Sequence, residues 1–150
     1  MIRVVVFDIG KVLLDFDYGI FVGRMAPRTH LDVPALDRLL NQSPLLAEYE
    51  SGGLDCAAFF KEIQKETGYD GTRDEFAALF EDIFTPIDEV VAMHKQIAAS
   101  GLPTYTMSNT NPMAVYHIQQ KYSFWPLFSG HVLSFEHGSL KPESELYYQL

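Results

Sequence analysis

A short apolar run near the start of the chain, ending in an aspartate, is the feature that most constrains the fold. Residues 2–7 are β-branched or aromatic apart from Arg3, a composition typical of a strand buried on both faces of a parallel sheet. Asp8 ends the run and Gly10 follows it. Open α/β sheets bind ligands in the crevice beyond the carboxyl ends of their strands. A lone Asp more often caps a turn, so a site is predicted only if later strands carry matching groups.

Two later segments repeat this pattern of a strand followed by polar residues. Residues 103–107 have strand composition and lead into Ser108 and Asn109, and residues 131–134 form a third predicted strand that precedes Lys141. Parallel strands place their carboxyl ends at one edge of the sheet. The sequence therefore predicts that these polar groups meet the first aspartate there.

The chemistry of these groups indicates a phosphate site. An aspartate such as Asp8 can attack phosphorus and form an aspartyl-phosphate. Ser108 and neighbouring N–H groups at a helix start can bind phosphoryl oxygens, and Lys141 can neutralise charge on carboxylate and phosphate. We predict catalytic roles for Asp8 and Lys141 and substrate-binding roles for Ser108 and Asn109.

The segment between the first two strands is predicted to be helical and without strands for about seventy residues. Helix starts are expected at Asp32, at Asp55 and at a capping box from Thr72 to Glu75. The last of these helices has an apolar stripe of Phe76, Leu79, Phe80 and Ile83. Residues 48–53 are expected to form a flexible polar connection. The predicted fold is α/β: a Rossmann-like parallel sheet core, residues 1–15 and 86–150, with a small helical cap inserted at residues 16–85.

Composition narrows the class of function. The chain has 150 residues, of which 47% are hydrophobic and 21% charged, which is typical of a globular domain with its own core. A net charge of −9 without any basic cluster argues against nucleic acid as a partner. No apolar run approaches the roughly 20 residues of a membrane span. We expect no nucleic-acid or membrane partner and a cytoplasmic location.

The three motifs together resemble those of the haloacid dehalogenase superfamily of hydrolases, in the branch with a small helical cap after the first motif. Residues 4–12 resemble its first motif, residues 107–111 its second, and residues 138–143 with Leu146 and Tyr147 its third. The resemblance implies a Mg²⁺-dependent phosphatase for a small phosphorylated metabolite of the sugar phosphate class. It also implies that the Asp8 carboxylate and the Gly10 carbonyl bind the metal, and that the cap covers the site.

The cap is expected to select the substrate, but the sequence leaves open which of its residues face the site. The candidates are Tyr18, Phe21, Tyr49, Glu50 and the turn at Gly52 and Gly53.

Two departures from the family pattern limit what the resemblance implies. Gly10 stands where most phosphatases of the family have a second Asp, the general acid and base. The fourth motif, an acidic pair that helps to hold Mg²⁺, would lie beyond Leu150. We therefore expect a core incomplete at its C-terminus, poor catalysis by residues 1–150 alone, and an unpaired edge on the first strand that invites self-association.

Two alternative functions remain open from the sequence. A 2-haloacid dehalogenase would use the same Asp to attack carbon and would need no metal, and Gly10 permits it. Against it stand the Gly10-Lys11 pair and the lack of any arginine close to the first motif that could clamp a substrate carboxylate, apart from Arg3 inside the strand and Arg24 and Arg28 in the cap. The other alternative is an inactive protein that binds phosphate or a partner protein.

Overall fold

The computed structural model describes residues 2–79 and 83–150. The strands are β1 (Val5–Phe7), β2 (Leu14–Phe16), β3 (Phe84–Pro86), β4 (Thr104–Ser108) and β5 (Gly130–Leu133). The helices are α1 (Tyr18–Met25), α2 (Val33–Gln42), α3 (Pro44–Glu50), α4 (Cys56–Thr67), α5 (Arg73–Ala78), α6 (Asp88–Ala99), α7 (Pro112–Lys121), α8 (Ser134–His137) and α9 (Ser144–Tyr147). Single 3₁₀ turns lie at Ala26–Arg28 and Trp125–Leu127.

The central sheet confirms the predicted α/β class. Its strand order is β1-β4-β5 and both pairings are parallel, with Phe7 opposite Thr106 and Thr106 opposite His131. The Thr106 hydroxyl also donates to the Phe7 carbonyl at 3.0 Å. The strands that precede the second and third motifs thus lie on the same side of β1, and all three carboxyl ends share one edge.

One face of β1 is more exposed than the sequence predicts. Val5 and Phe7 pack into an apolar cluster with residues of α6 and α7, but Val4 and Val6 are 43% and 39% exposed. The prediction of a strand buried on both faces is therefore wrong. Side chains alternate between the faces of a strand, and on the second face the Leu146 side chain of α9 covers β4 and β5 rather than β1.

The outer edge of β1 has no partner strand within residues 2–79 and 83–150, because β1 pairs with β4 on its other side. A row of unpaired backbone groups is a template for strand pairing. Self-association through this edge stays a prediction.

A two-stranded antiparallel sheet, which the sequence analysis missed, joins the ends of the helical insertion. β2 pairs with β3 so that Leu14 faces Pro86 and Phe16 faces Phe84. The expectation that no second strand follows β1 before the end of the insertion is wrong. Each of these strands has three residues, too few for a period-two pattern to stand out.

The predicted helix starts in the insertion are confirmed. Asp32 and Asp55 accept hydrogen bonds from Ala35 N and Ala58 N, and Thr72 forms its capping box with Glu75. These contacts satisfy N–H groups that a helix start leaves unpaired. The helix from Thr72 ends at Ala78, and Phe80 of its predicted stripe lies outside the described residues.

α3 corrects another expectation, since residues 48–50 are helical rather than a flexible connection. Tyr49 is fully buried and its ring stacks on Phe59 with the ring centroids 4.1 Å apart. Its neighbours form an apolar cluster whose buried members include Phe21, Val22, Met25, Leu36, Leu40, Phe59, Ile63 and Phe76. This cluster is a second core, built from the helical insertion, and the division into core and cap stays a prediction.

In the described part of the chain no helix has the length and apolar character needed to cross a bilayer. The cytoplasmic location stays a prediction.

Candidate active site

Asp8 and Lys141 form an ion pair at the carboxyl edge of the sheet. The Lys141 ammonium donates to Asp8 Oδ2 at 2.6 Å and to the Met107 carbonyl at 3.1 Å. The other Asp8 oxygen accepts the Ile9 N–H at 2.7 Å. The Lys141 and Asp8 side chains are 22% and 36% exposed, so a ligand can reach the pair. The two predicted catalytic residues, 133 positions apart, are in direct contact.

Asn109 fixes the backbone of Lys141. The Lys141 N–H donates to Asn109 Oδ1 at 2.7 Å, and Asn109 Nδ2 donates to the Lys141 carbonyl at 3.1 Å. This two-bond clamp joins the loop after β4 to the loop after β5. A substrate contact by Asn109 stays a prediction, and its amide already has a role in positioning the lysine.

Ser108 is the last residue of β4 and is 2% exposed. Its hydroxyl lies 3.4 Å from the Asn109 carbonyl, which is long for an O–H···O hydrogen bond. The hydroxyl can therefore turn to a ligand oxygen at small cost, which is consistent with its predicted role in phosphate binding.

A cavity of about 410 Å³ lies between the sheet edge and the helical insertion. Its walls include Gly10, Ser108 and Asn109 from the sheet side and Tyr18, Asn41 and Glu50 from α1, α2 and α3. The volume suits a small ligand. Of the candidates for a substrate-facing position, Tyr18 and Glu50 line this cavity, whereas Phe21 and Tyr49 are fully buried in the second core.

The space beside Gly10 is filled by an aromatic ring. A Cβ atom at position 10 would lie 2.8 Å from Phe16 Cε1, inside van der Waals contact. Lys11, whose φ is 61°, contacts this ring through its ammonium group, which lies 4.7 Å from the ring centroid. The same ammonium donates to the Phe16 carbonyl at 2.9 Å. The ring thus takes the volume in which a second aspartate would start.

Gly10→Ala is expected to destabilise the protein through this contact, by roughly 1–3 kcal/mol as for other overpacked sites. In a Phe16→Ala background the added methyl group finds room, so the cost of the same change should nearly vanish. Urea unfolding of the four proteins in this double-mutant cycle measures the coupling. An equal cost of Gly10→Ala in both backgrounds would show that the ring is not the obstacle.

The predicted metal ligands are oxygen donors of the type that Mg²⁺ takes, the Asp8 carboxylate and the Gly10 carbonyl. They are two of the roughly six oxygens of an octahedral site, so phosphate and water would have to supply most of the others. Residues 2–79 and 83–150 hold no group of three or more His, Cys, Asp or Glu side chains that could bind a metal by themselves. Mg²⁺ binding stays a prediction.

Glu50, the last residue of α3, is the functional candidate that sequence reasoning left unresolved. Burial raises the pKa of its carboxyl to about 7. The pKa of Tyr18 in the same wall is raised as well, by its own burial and then by the charge of Glu50. The sequence does show an acidic residue at the end of an apolar helix, and this was the signal that could have singled out Glu50. Only tertiary packing determines that this residue faces the cavity.

Glu50→Gln is expected to stabilise the fold at about pH 8 by roughly 1–3 kcal/mol, and to change little at about pH 4.5. The pKa of Glu50 is near 4.5 in the unfolded chain and about 7 in the folded protein. Between these two pH values the folded protein retains a proton on Glu50 that the unfolded chain has lost. The free energy of unfolding therefore falls as pH rises through this window. Glutamine does not titrate, so the Glu50→Gln variant should not show this fall in stability. Urea unfolding at both pH values checks this, with the exposed Glu48→Gln as control. Equal gains at both pH values would contradict it.

Comparison with known proteins defines the class of the fold. No family model matches the chain. A haloacid dehalogenase family enzyme from Bacteroides thetaiotaomicron, in complex with magnesium and inorganic phosphate, has a TM-score of 0.85 at 17% identity over 99% of this chain and 77% of that one. A predicted hydrolase of this family from Porphyromonas gingivalis has a TM-score of 0.80 at 20% identity, covering 99% and 74%.

L-2-haloacid dehalogenase from Xanthobacter autotrophicus, with chloropropionic acid covalently bound, has a TM-score of 0.63 at 15% identity, covering 99% of this chain and 63% of that one. The chain therefore has the fold of haloacid dehalogenase family enzymes. The predicted resemblance is confirmed at the level of the fold.

Proposed function

We propose that this chain is a hydrolase of the haloacid dehalogenase superfamily, a phosphatase for a small phosphorylated metabolite that forms an aspartyl-phosphate on Asp8. The observation that carries the proposal is the contact between the Asp8 carboxylate and the Lys141 ammonium at 2.6 Å, beside a cavity lined by Ser108. A nucleophile paired with a fixed cation at the end of parallel strands is suited to attack on a phosphate dianion.

In this proposal each residue has a separate task. Asp8 attacks phosphorus, Lys141 offsets the charge that carboxylate and phosphate bring together, and Ser108 donates to a phosphoryl oxygen. Asn109 keeps Lys141 in place through two hydrogen bonds. Mg²⁺, held by Asp8, the Gly10 carbonyl and phosphate oxygens, would supply further positive charge. The similar Bacteroides enzyme in complex with magnesium and inorganic phosphate supports this assignment.

One requirement of dehalogenation is not met by the described cavity wall. No Arg or Lys is among the described residues that line the cavity, so the carboxylate clamp that a 2-haloacid would need is missing from its wall. Arg28, one of the arginines considered for that role, pairs with Asp70 at 2.7 Å and contacts Glu75.

A substrate panel tests the proposed function. The purified protein should release phosphate from small phosphomonoesters in the presence of Mg²⁺, detected with malachite green, and should release no chloride from 2-chloropropionate. Asp8→Asn is the matched control for contaminating phosphatases. Chloride release without phosphate release would favour the dehalogenase. Tight binding of phosphate with neither activity would favour an inactive binding protein.

A further inference from the structure

We propose that Glu50 is the general acid and base of this site, taking the role of the aspartate that Gly10 replaces. This inference rests on the proposed phosphatase function. It assigns the proton donor for the leaving group to a residue of the helical insertion rather than to the loop after β1.

The position of Glu50 is fixed by contacts that cross from the insertion to the sheet. The Ser134 hydroxyl, at the start of α8, donates to the Glu50 carbonyl at 2.6 Å and accepts the Thr110 N–H at 3.0 Å. One residue before Glu50, the Tyr49 hydroxyl accepts the Met113 N–H at 3.4 Å. These bonds tie the end of α3 to the loop that follows Ser108.

The turn after α3 reinforces this placement. Gly52 has a φ of +77°, and a Cβ there would lie 2.2 Å from the Phe135 carbonyl oxygen. The backbone of the turn therefore packs directly against α8, which only glycine permits. Glu50 lies two residues before this contact, so its backbone is fixed beside the cavity that it lines.

The surroundings of Glu50 suit proton transfer. The polar residues that line this cavity with Glu50 are Tyr18 from α1, Asn41 from α2, Ser108 at the end of β4, and Asn109, Thr110 and Asn111 after it. α4 packs against the preceding residue, because the Phe59 ring stacks on the Tyr49 ring. α8 contacts Glu50 itself through the Ser134 hydroxyl.

No cation of the described cavity wall stabilises the charged form of Glu50. Its raised pKa, caused by burial, leaves the carboxyl protonated in a substantial fraction of molecules at neutral pH. A bound phosphate dianion carries the same sign of charge as the Glu50 carboxylate, so it would raise the pKa of Glu50 further.

The proposed step balances in atoms and charge. An Asp8 oxygen attacks phosphorus, the bond from phosphorus to the ester oxygen breaks, and the Glu50 proton passes to that oxygen to release an alcohol. Water then attacks the aspartyl-phosphate and gives a proton to the Glu50 carboxylate. The bond from Asp8 to phosphorus breaks, hydrogen phosphate leaves, and both carboxyl groups return to their starting states.

Glu50→Gln tests the assignment with two leaving groups. For an alkyl phosphate, whose leaving group needs a proton, we expect kcat/KM to fall roughly 10²-fold or more. p-Nitrophenolate leaves without a proton, so p-nitrophenyl phosphate should give a burst of about one product per enzyme and then slow turnover, because the water step still lacks its base. The decline of wild-type alkyl phosphate activity above about pH 7 should be lost in the variant.

Two controls accompany this experiment. Glu48→Gln changes an exposed carboxyl on the same helix and should behave as wild type. Circular dichroism shows whether Glu50→Gln is folded, and Glu50→Asp, which keeps the acid one methylene shorter, should recover part of the alkyl phosphate activity.

The possible outcomes separate the two proposals. A wild-type protein without phosphatase activity overturns the proposed function and this inference with it. An active wild type whose Glu50→Gln variant keeps its alkyl phosphate activity and pH profile overturns this inference alone. A folded variant that loses both esters equally, without a burst, would mean that Glu50 only supports the structure, and also overturns it.

Discussion

Asp8→Asn is expected to lower phosphatase turnover by roughly 10³-fold or more, the scale of loss seen when a covalent nucleophile is removed. The amide has nearly the shape of the carboxylate and keeps an oxygen for the Lys141 ammonium, but it is a poor nucleophile toward phosphorus. The pair is partly exposed, so losing its charge attraction should cost about 1 kcal/mol or less in stability. Steady-state rates and urea unfolding on the same preparations measure both effects.

Asp15→Asn is the matched control, since Asp15 is an exposed acid that lies on β2, the next strand along the chain, and pairs with Lys11. We expect it to retain the wild-type rate within a few-fold. Near-normal turnover by Asp8→Asn would remove Asp8 from the chemistry. A large loss in Asp15→Asn would indicate that the segment from β1 to β2 as a whole, rather than one carboxylate, sets the rate.

Lys141→Ala is expected to lower kcat/KM by roughly 10²–10³-fold, as when a fixed charge-stabilising donor is deleted. Without the ammonium, a phosphate dianion approaches the Asp8 carboxylate with no neutralising charge in contact with either group. Affinity for inorganic phosphate, measured by calorimetry, should fall in parallel. Lys61→Ala, an exposed lysine on α4, controls for the loss of a positive charge from this acidic protein.

Asn109→Ala refines the same test, because Asn109 holds the Lys141 backbone through two hydrogen bonds. A smaller loss of activity than in Lys141→Ala would fit a positioning role. Unchanged phosphate affinity and turnover in Lys141→Ala would show that the ion pair is only structural.

Local signals account for the parts of the fold that were predicted correctly. The caps at Asp32, Asp55 and Thr72 are side-chain contacts within one helical turn, so the sequence contains both partners. β2 and β3 were missed because three residues carry almost no periodic signal. The exposure of Val4 and Val6 depends on which helices cover β1, and that is decided far away in the chain.

The candidate site divides in the same way. Asp8, Ser108 and Lys141 could be placed together because each follows a predicted parallel strand, and topology then fixes the shared edge. Glu50 could not be chosen from the candidates in the insertion, since the position of its backbone depends on a contact with Ser134 that spans 84 residues.

Trapping the aspartyl-phosphate tests the central claim most directly. The protein is mixed rapidly with p-nitrophenyl phosphate and Mg²⁺, quenched in acid, reduced with borohydride to convert a phosphorylated aspartate to homoserine, and mapped by peptide mass spectrometry. We expect homoserine at position 8 in the wild type and none in Asp8→Asn. Rapid turnover with no modification at Asp8, or with the label on another residue, would contradict the proposed mechanism.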